Sequence, residues 1–80
     1  MLLAIDVGNT NITLGVFEHD QLQINWRLSS DRRRTGDEYG SEVRNLFWLF
    51  QLDPRNVEAI VIASVVPALN LAWEQVASCT

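Results

Sequence analysis

Two very short connections govern what this chain can fold into. Between Leu2 and Ser29 three stretches of strand character, LLAIDV at 2–7, NITLGVF at 11–17 and QLQINWRLS at 21–29, are separated only by GNT and by the polar EHDQ. A parallel pair needs a crossover of about a dozen residues or more, so these connections permit only hairpins. The three strands therefore form an antiparallel set in which the third runs in the direction of the first. Alternation assigns the faces. Ile12, Leu14 and Val16 oppose Thr13, Gly15 and Phe17 in the second strand, while Leu22, Ile24, Trp26 and Leu28 oppose Gln23, Asn25 and Arg27 in the third. The third strand should face core on one side and water on the other. The first, short and apolar, is expected to be covered on both faces.

After the polar SDRRRTGDEYG, the residues Tyr39, Val43, Leu46, Phe47 and Phe50 recur at helical spacing. Thr35 and Glu38 make a capping box at the start of this helix, and Asp53 before Pro54 is expected to stop it. Trp48 and Leu49 fall beside the apolar stripe, for which a wide buried face is the simpler account and contact with the missing half of the protein or with another subunit the alternative. VEAIVIASVV at 57–66 reads as a buried parallel strand. Pro67 can open a last helix with Leu69, Ala72, Trp73 and Val76 as its stripe, leaving Leu71 partly exposed. A right-handed crossover through the first helix sets the fourth strand beside the first and parallel to it. The expectation is an α/β, ribonuclease-H-like domain: a mixed sheet with strands 1-2-3 antiparallel, strand 4 parallel to strand 1, and two helices. The complete layout adds at least a fifth strand, so residues 1–80 are expected to be an incomplete N-terminal domain.

Composition narrows the function classes. Eighty residues suffice for one small domain with a packed core. The net charge of −4 comes from ten acidic residues against six basic ones, all of them Arg, which disfavours a nucleic-acid partner. Cys79 stands alone, without an intramolecular disulfide or a zinc pattern, as in reducing compartments. No run approaches the roughly 18 to 20 apolar residues of a membrane span, and no signal segment opens the chain, so the cytoplasm is the expected location and no membrane a partner.

One stretch fits poorly into a plain strand pair. DVGNT at 6–10 leaves an apolar run through Asp6, and burying a carboxylate without a partner costs several kcal/mol. If strands 1 and 4 are neighbours, Asp6 and SVVP at 64–67 meet at the sheet edge where open α/β sheets place ligands. Gly8 would make the turn with a positive φ and admit a ligand to the backbone N–H groups. Asn9, Thr10 and Asn11 could bond phosphate oxygens, and Asp6 could hold Mg²⁺. The other reading is an ordinary hairpin turn whose Asn and Thr satisfy local backbone groups. Ser64 either bonds Asp6 or a metal-bound water, or leads into the Pro67 helix. Arg32, Arg33 and Arg34 read as a solvated loop with local ion pairs, with an anionic ligand or a partner subunit as the alternative. His19 reads as an exposed turn residue.

IDVGNTN at 5–11 resembles the first phosphate loop of the superfamily of actin, heat-shock chaperone ATPases and sugar kinases. Together with WRLSSDRRRTGDEYG at 26–40 and SVVP at 64–67, it makes essentially the whole chain similar to the N-terminal part of type III pantothenate kinases. The resemblance implies ATP-dependent phosphorylation of pantothenate toward coenzyme A by a homodimer, each subunit with a second domain absent from this chain. Asp6 would be the carboxylate near metal and phosphates, with Gly8, Asn9, Thr10 and Asn11 lining the phosphates. Asp37 and Ser64 would be supporting groups. ATP and Mg²⁺ are the implied cofactors, with K⁺ or NH₄⁺ as a further candidate. The family's general base, an Asp in a Gly-x-Asp-Arg motif, falls beyond Thr80, so this chain alone is expected to be inactive.

Two other classes stand beside the kinase. A ribonuclease-H-type nuclease would use Asp6 and Glu42 but needs more convergent carboxylates than the sequence supplies. A non-catalytic association module would act through an apolar fourth strand left at a sheet edge.

Overall fold

The turn at His19 and Asp20 sets the register of the sheet. In the computed structural model, which describes residues 1–78, both residues take left-handed angles, φ 52° and 64°, the pairing that lets a two-residue hairpin follow the strand twist. This turn joins β2 (Asn11–Glu18) to β3 (Gln21–Ser29), and a second turn joins β1 (Leu2–Val7) to β2. Phe17 pairs with Leu22, but the register slips between Val16 and Phe17, after which Val16 opposes Ile24, Leu14 opposes Trp26 and Ile12 opposes Leu28. Without that bulge Val16 would face Gln23, with apolar residues set against polar ones along the pair. The slip corrects one expectation. Leu22 lies with Phe17 and Gly15 on the opposite face from Ile24 and Trp26, and is about half exposed.

The remaining elements are α1 (Gly36–Leu49), a 3₁₀ turn at Pro54–Asn56, β4 (Ala59–Ser64), a 3₁₀ turn at Pro67–Leu69 and α2 (Asn70–Ser78). The sheet order is β3-β2-β1-β4, with β4 parallel to β1 and the other pairs antiparallel. This is the ribonuclease-H-like layout expected from the sequence.

Both helices pack on one sheet face. Tyr39, Val43 and Phe47 of α1, with Leu69, Trp73 and Val76, close over Leu3, Ile5, Val7, Ile12, Leu14, Val16 and Trp26. The other face carries no helix among the described residues, so β1 is covered on one side only, not on both: Leu3, Ile5 and Val7 are buried and Asp6 is exposed. For the same reason β4 is a half-exposed edge strand and not a buried one, with Ile60 and Ile62 turned to the core and Val61 55% exposed. Trp48 and Leu49 are 76% and 56% exposed, so α1 has no wide buried face, and Leu71 is exposed as expected.

The helix termini follow capping chemistry. Thr35 and Glu38 form the predicted capping box. The C-terminus departs from expectation: Gln51 adopts φ 58°, the Leu52 N–H donates to the Phe47 carbonyl (2.8 Å), and the Gln51 N–H to that of Trp48 (3.1 Å). This is a Schellman ending that stops α1 before Asp53 and Pro54 are reached. Those two residues open the next 3₁₀ turn instead, with the Asp53 carboxylate accepting from the Arg55 N–H at 2.9 Å. No helix among the described residues is long and apolar enough to cross a membrane. Cys79 lies outside the described residues.

Candidate functional site

The parallel pairing of β1 with β4 brings their carboxyl ends together, with Asp6 beside Ala63 and Val7 beside Ser64. Strand alternation sends Val7 into the core and Asp6 to the uncovered face, between Thr13 of β2 and Ala63 of β4. The carboxylate therefore stays in water, and no burial penalty attaches to it. Among the described residues it has neither an ion pair nor a hydrogen bond, which leaves its oxygens open to a ligand.

The turn after Asp6 is tight. The Gly8 N–H donates to the Asn11 carbonyl (2.9 Å). Gly8 does not use the positive φ expected of it, since no described glycine has one. A close approach of backbone excludes any other residue instead: a Cβ at Gly8 would lie 2.9 Å from the Asn11 oxygen. Asn9, Thr10 and Asn11 are all exposed, so the side chains assigned to phosphate contact stand in solvent beside Asp6's end of β1.

Sequence reasoning missed what holds this turn from behind. The Ser30 hydroxyl donates to the Gly8 carbonyl (2.6 Å), and the Ser30 N–H donates to the Thr10 carbonyl (3.0 Å). Ser30 is positioned in turn by Tyr39. The fully buried Tyr39 accepts from the Asp31 N–H (3.0 Å) and donates its O–H to the Asp31 carbonyl (3.1 Å). The Tyr39→Phe variant should leave the Asp31 N–H unpartnered and cost about 1–2 kcal/mol. Amide exchange at Ser30 and Asp31 should rise with exchange in β1 unchanged; wild-type exchange and melting would refute the brace.

The arginines divide. Arg33 pairs with Asp31 at 3.1 Å, and its hydrogen bonds hold the Asp31 carboxyl below the usual carboxylate range. Arg34 pairs with Glu42 and lies over the Tyr39 ring, 4.7 Å from its centroid. Those two fit the expected local ion pairs. Arg32 instead reaches the turn, donating to Asn9 Oδ1 at 3.4 Å.

Other sequence candidates do not converge on Asp6. Ser64 shares the helix-side face with Val7, and its hydroxyl accepts from the Val66 N–H at 3.1 Å, the role of leading into the Pro67 turn. Asp37 sits in the first turn of α1, lining a small cleft against Gln75 and Val76 of α2. Glu42 is taken by Arg34. His19 is 92% exposed at the far hairpin. Among the described residues no three His, Cys, Asp or Glu side chains gather to hold a metal, so a two-metal nuclease lacks its carboxylates here. Mg²⁺ keeps several waters and takes one or two carboxylates together with substrate phosphates. A single open Asp6 fits an ion that arrives with a nucleotide.

Comparisons with known proteins place the chain in a family. The family model described as type III pantothenate kinase matches residues 2–80. A type III pantothenate kinase of Brevibacillus brevis is 52% identical over 94% of this chain and 29% of its own length. Those of Moorella thermoacetica (54% over 88% of this chain, 28% of its own) and Myxococcus xanthus (55% over 94%, 29% of its own) are similar to the same extent. The chain thus spans less than a third of the length of the curated relatives it matches.

Proposed function

The chain belongs to the type III pantothenate kinase family, and from that membership we propose that it supplies the phosphate-binding side of an ATP-dependent kinase that phosphorylates pantothenate on the route to coenzyme A. One observation carries the reading. Asp6, the last residue but one of its strand, stands exposed with its carboxylate unpartnered, one residue before a turn so close-packed that only glycine fits at position 8. In this proposal Gly8, Asn9, Thr10 and Asn11 line the phosphates. Phosphoryl transfer depends mostly on positioning and charge neutralisation; this stretch offers the positioning, and neutralisation would come from an ion held by Asp6.

Asp6 would hold Mg²⁺, which when bound neutralises phosphate charge. A monovalent cation such as K⁺ or NH₄⁺ belongs to the same proposal, with no residue of this chain assigned to it. So do a homodimeric assembly, a cytoplasmic location, and ATP and pantothenate as the small-molecule partners, with neither nucleic acid nor membrane among them. The general base of the family's Gly-x-Asp-Arg motif has no counterpart in these 80 residues, so the chain by itself should bind without turning over.

Titration with Mg-ATP, followed by amide shifts, tests this. Gly8, Asn9, Thr10 and Asn11 should move first and saturate together. A response confined to residues away from the turn would refute the assignment.

A further inference from the structure

Of three consecutive arginines, two are neutralised locally, Arg33 by Asp31 and Arg34 by Glu42. Arg32 has no carboxylate partner among the described residues. Its guanidinium rests on the neutral amide oxygen of Asn9, 3.4 Å away and 23 positions distant in sequence. A neutral acceptor at that distance holds a guanidinium weakly, whereas phosphate oxygens accept from it bidentately with charge assistance. The residue two positions earlier, Ser30, is bonded to both Gly8 and Thr10. The arginine is therefore delivered to the turn by the same contacts that shape the turn.

Resting on the phosphate-loop reading above, we infer that Arg32 is a specificity-determining residue: it exchanges the Asn9 amide for phosphate oxygens and selects nucleoside di- and triphosphates over monophosphates. Asn9 serves as its parking acceptor, and the exchange releases the Asn9 side chain toward the same ligand. Arg33 and Arg34 take no part, because their charges are already spent on carboxylates of their own loop and helix.

The test compares the wild-type chain with Arg32→Gln, Arg32→Lys and Arg33→Gln in amide-shift titrations with ATP, ADP and AMP, each with Mg²⁺, at low and high NaCl. Arg32→Gln should weaken ATP about five- to tenfold, leave AMP nearly unchanged, and flatten the salt dependence, since an exposed cation acts through screened charge. Arg32→Lys should recover part of the loss, and Arg33→Gln should behave as wild type. Arg32 is exposed, so the variants should keep the wild-type spectrum away from the turn. Equal losses for ATP and AMP, or an unchanged salt dependence, would reduce Arg32 to a prop for Asn9 and overturn the inference. If instead the wild-type turn ignores ATP altogether, the phosphate-loop reading itself falls, and this inference with it.

Discussion

The Asp6→Asn variant should lose the preference for Mg-ATP over metal-free ATP. In the wild-type chain the carboxylate at the end of β1 is exposed and unpartnered, and a Mg²⁺ ion brought in on the nucleotide would find in it an anionic ligand. Metal-free ATP would meet the same charge as repulsion. Removing the charge without changing the shape should therefore weaken Mg-ATP by roughly 100-fold, about 2.7 kcal/mol, and leave metal-free ATP equal or slightly tighter. Folding should hardly respond, because a solvent-facing carboxylate with no hydrogen bond or ion pair to lose changes stability by about 0.5 kcal/mol or less. The opposite signs separate a metal role from a general loss of the site. The titrations need only the amide signals of Gly8 to Asn11, with and without Mg²⁺. Unchanged Mg-ATP affinity in a folded Asp6→Asn chain would remove the carboxylate from the site and leave the turn as a plain hairpin.

The same residues mark how far the sequence could be read. Three strands, two helices and the parallel placement of β4 follow from alternation, helical spacing and connection length, all local signals. Leu22 shows where this stops. Its face depends on the slip between Val16 and Phe17, which arises because the apolar residues of two strands must meet across the ladder. The pattern contained that demand: an unslipped pairing sets Val16 against Gln23, and only a bulge matches Ile12, Leu14 and Val16 to Leu28, Trp26 and Ile24. The same slip sets Ser29 opposite Asn11, which carries Ser30 to Thr10, so the brace behind the turn depended on counting the bulge. Other misses have other causes. Gln in a left-handed cap carries no sequence signal, so the sequence places the stop of α1 at Asp53 and Pro54. The apolarity of β4 identified a strand but not which of its faces is covered, since that depends on where the helices pack. At Gly8 the sequence marks the residue but not its reason: crowding against the Asn11 carbonyl, and not a positive φ, demands glycine. Asp6, Gly8 and the three polar residues after it were legible because they interrupt an apolar pattern; Ser30 and Arg32 were not, because their contacts span more than twenty positions.

The largest effect on folding should come from the other end of that brace. Trp73 of α2 is fully buried, and its ring lies 4.8 Å from that of Tyr39, tilted by 34°. Trp73→Ala should cost about 3–5 kcal/mol, comparable with the whole stability of a domain near the lower end of the usual 5–15 kcal/mol. The chain should then be largely unfolded at room temperature. The indole N–H of Trp73 has no hydrogen-bond partner among the described side chains and backbone, so the ring's value lies in packing. Trp73→Phe keeps an aromatic face against Tyr39 and removes the orphaned donor, and should retain most of the stability. Leu71→Ala, on the exposed side of the same helix, should be close to neutral. Urea denaturation followed by circular dichroism ranks the three without relying on tryptophan emission. In mild urea the Phe variant should also keep its Mg-ATP response, because Tyr39 still holds Asp31 and thereby Ser30 against the turn. A Trp73→Ala chain that unfolds cooperatively with less than about 1 kcal/mol lost would mean that α2 is not part of the core that fixes the phosphate turn.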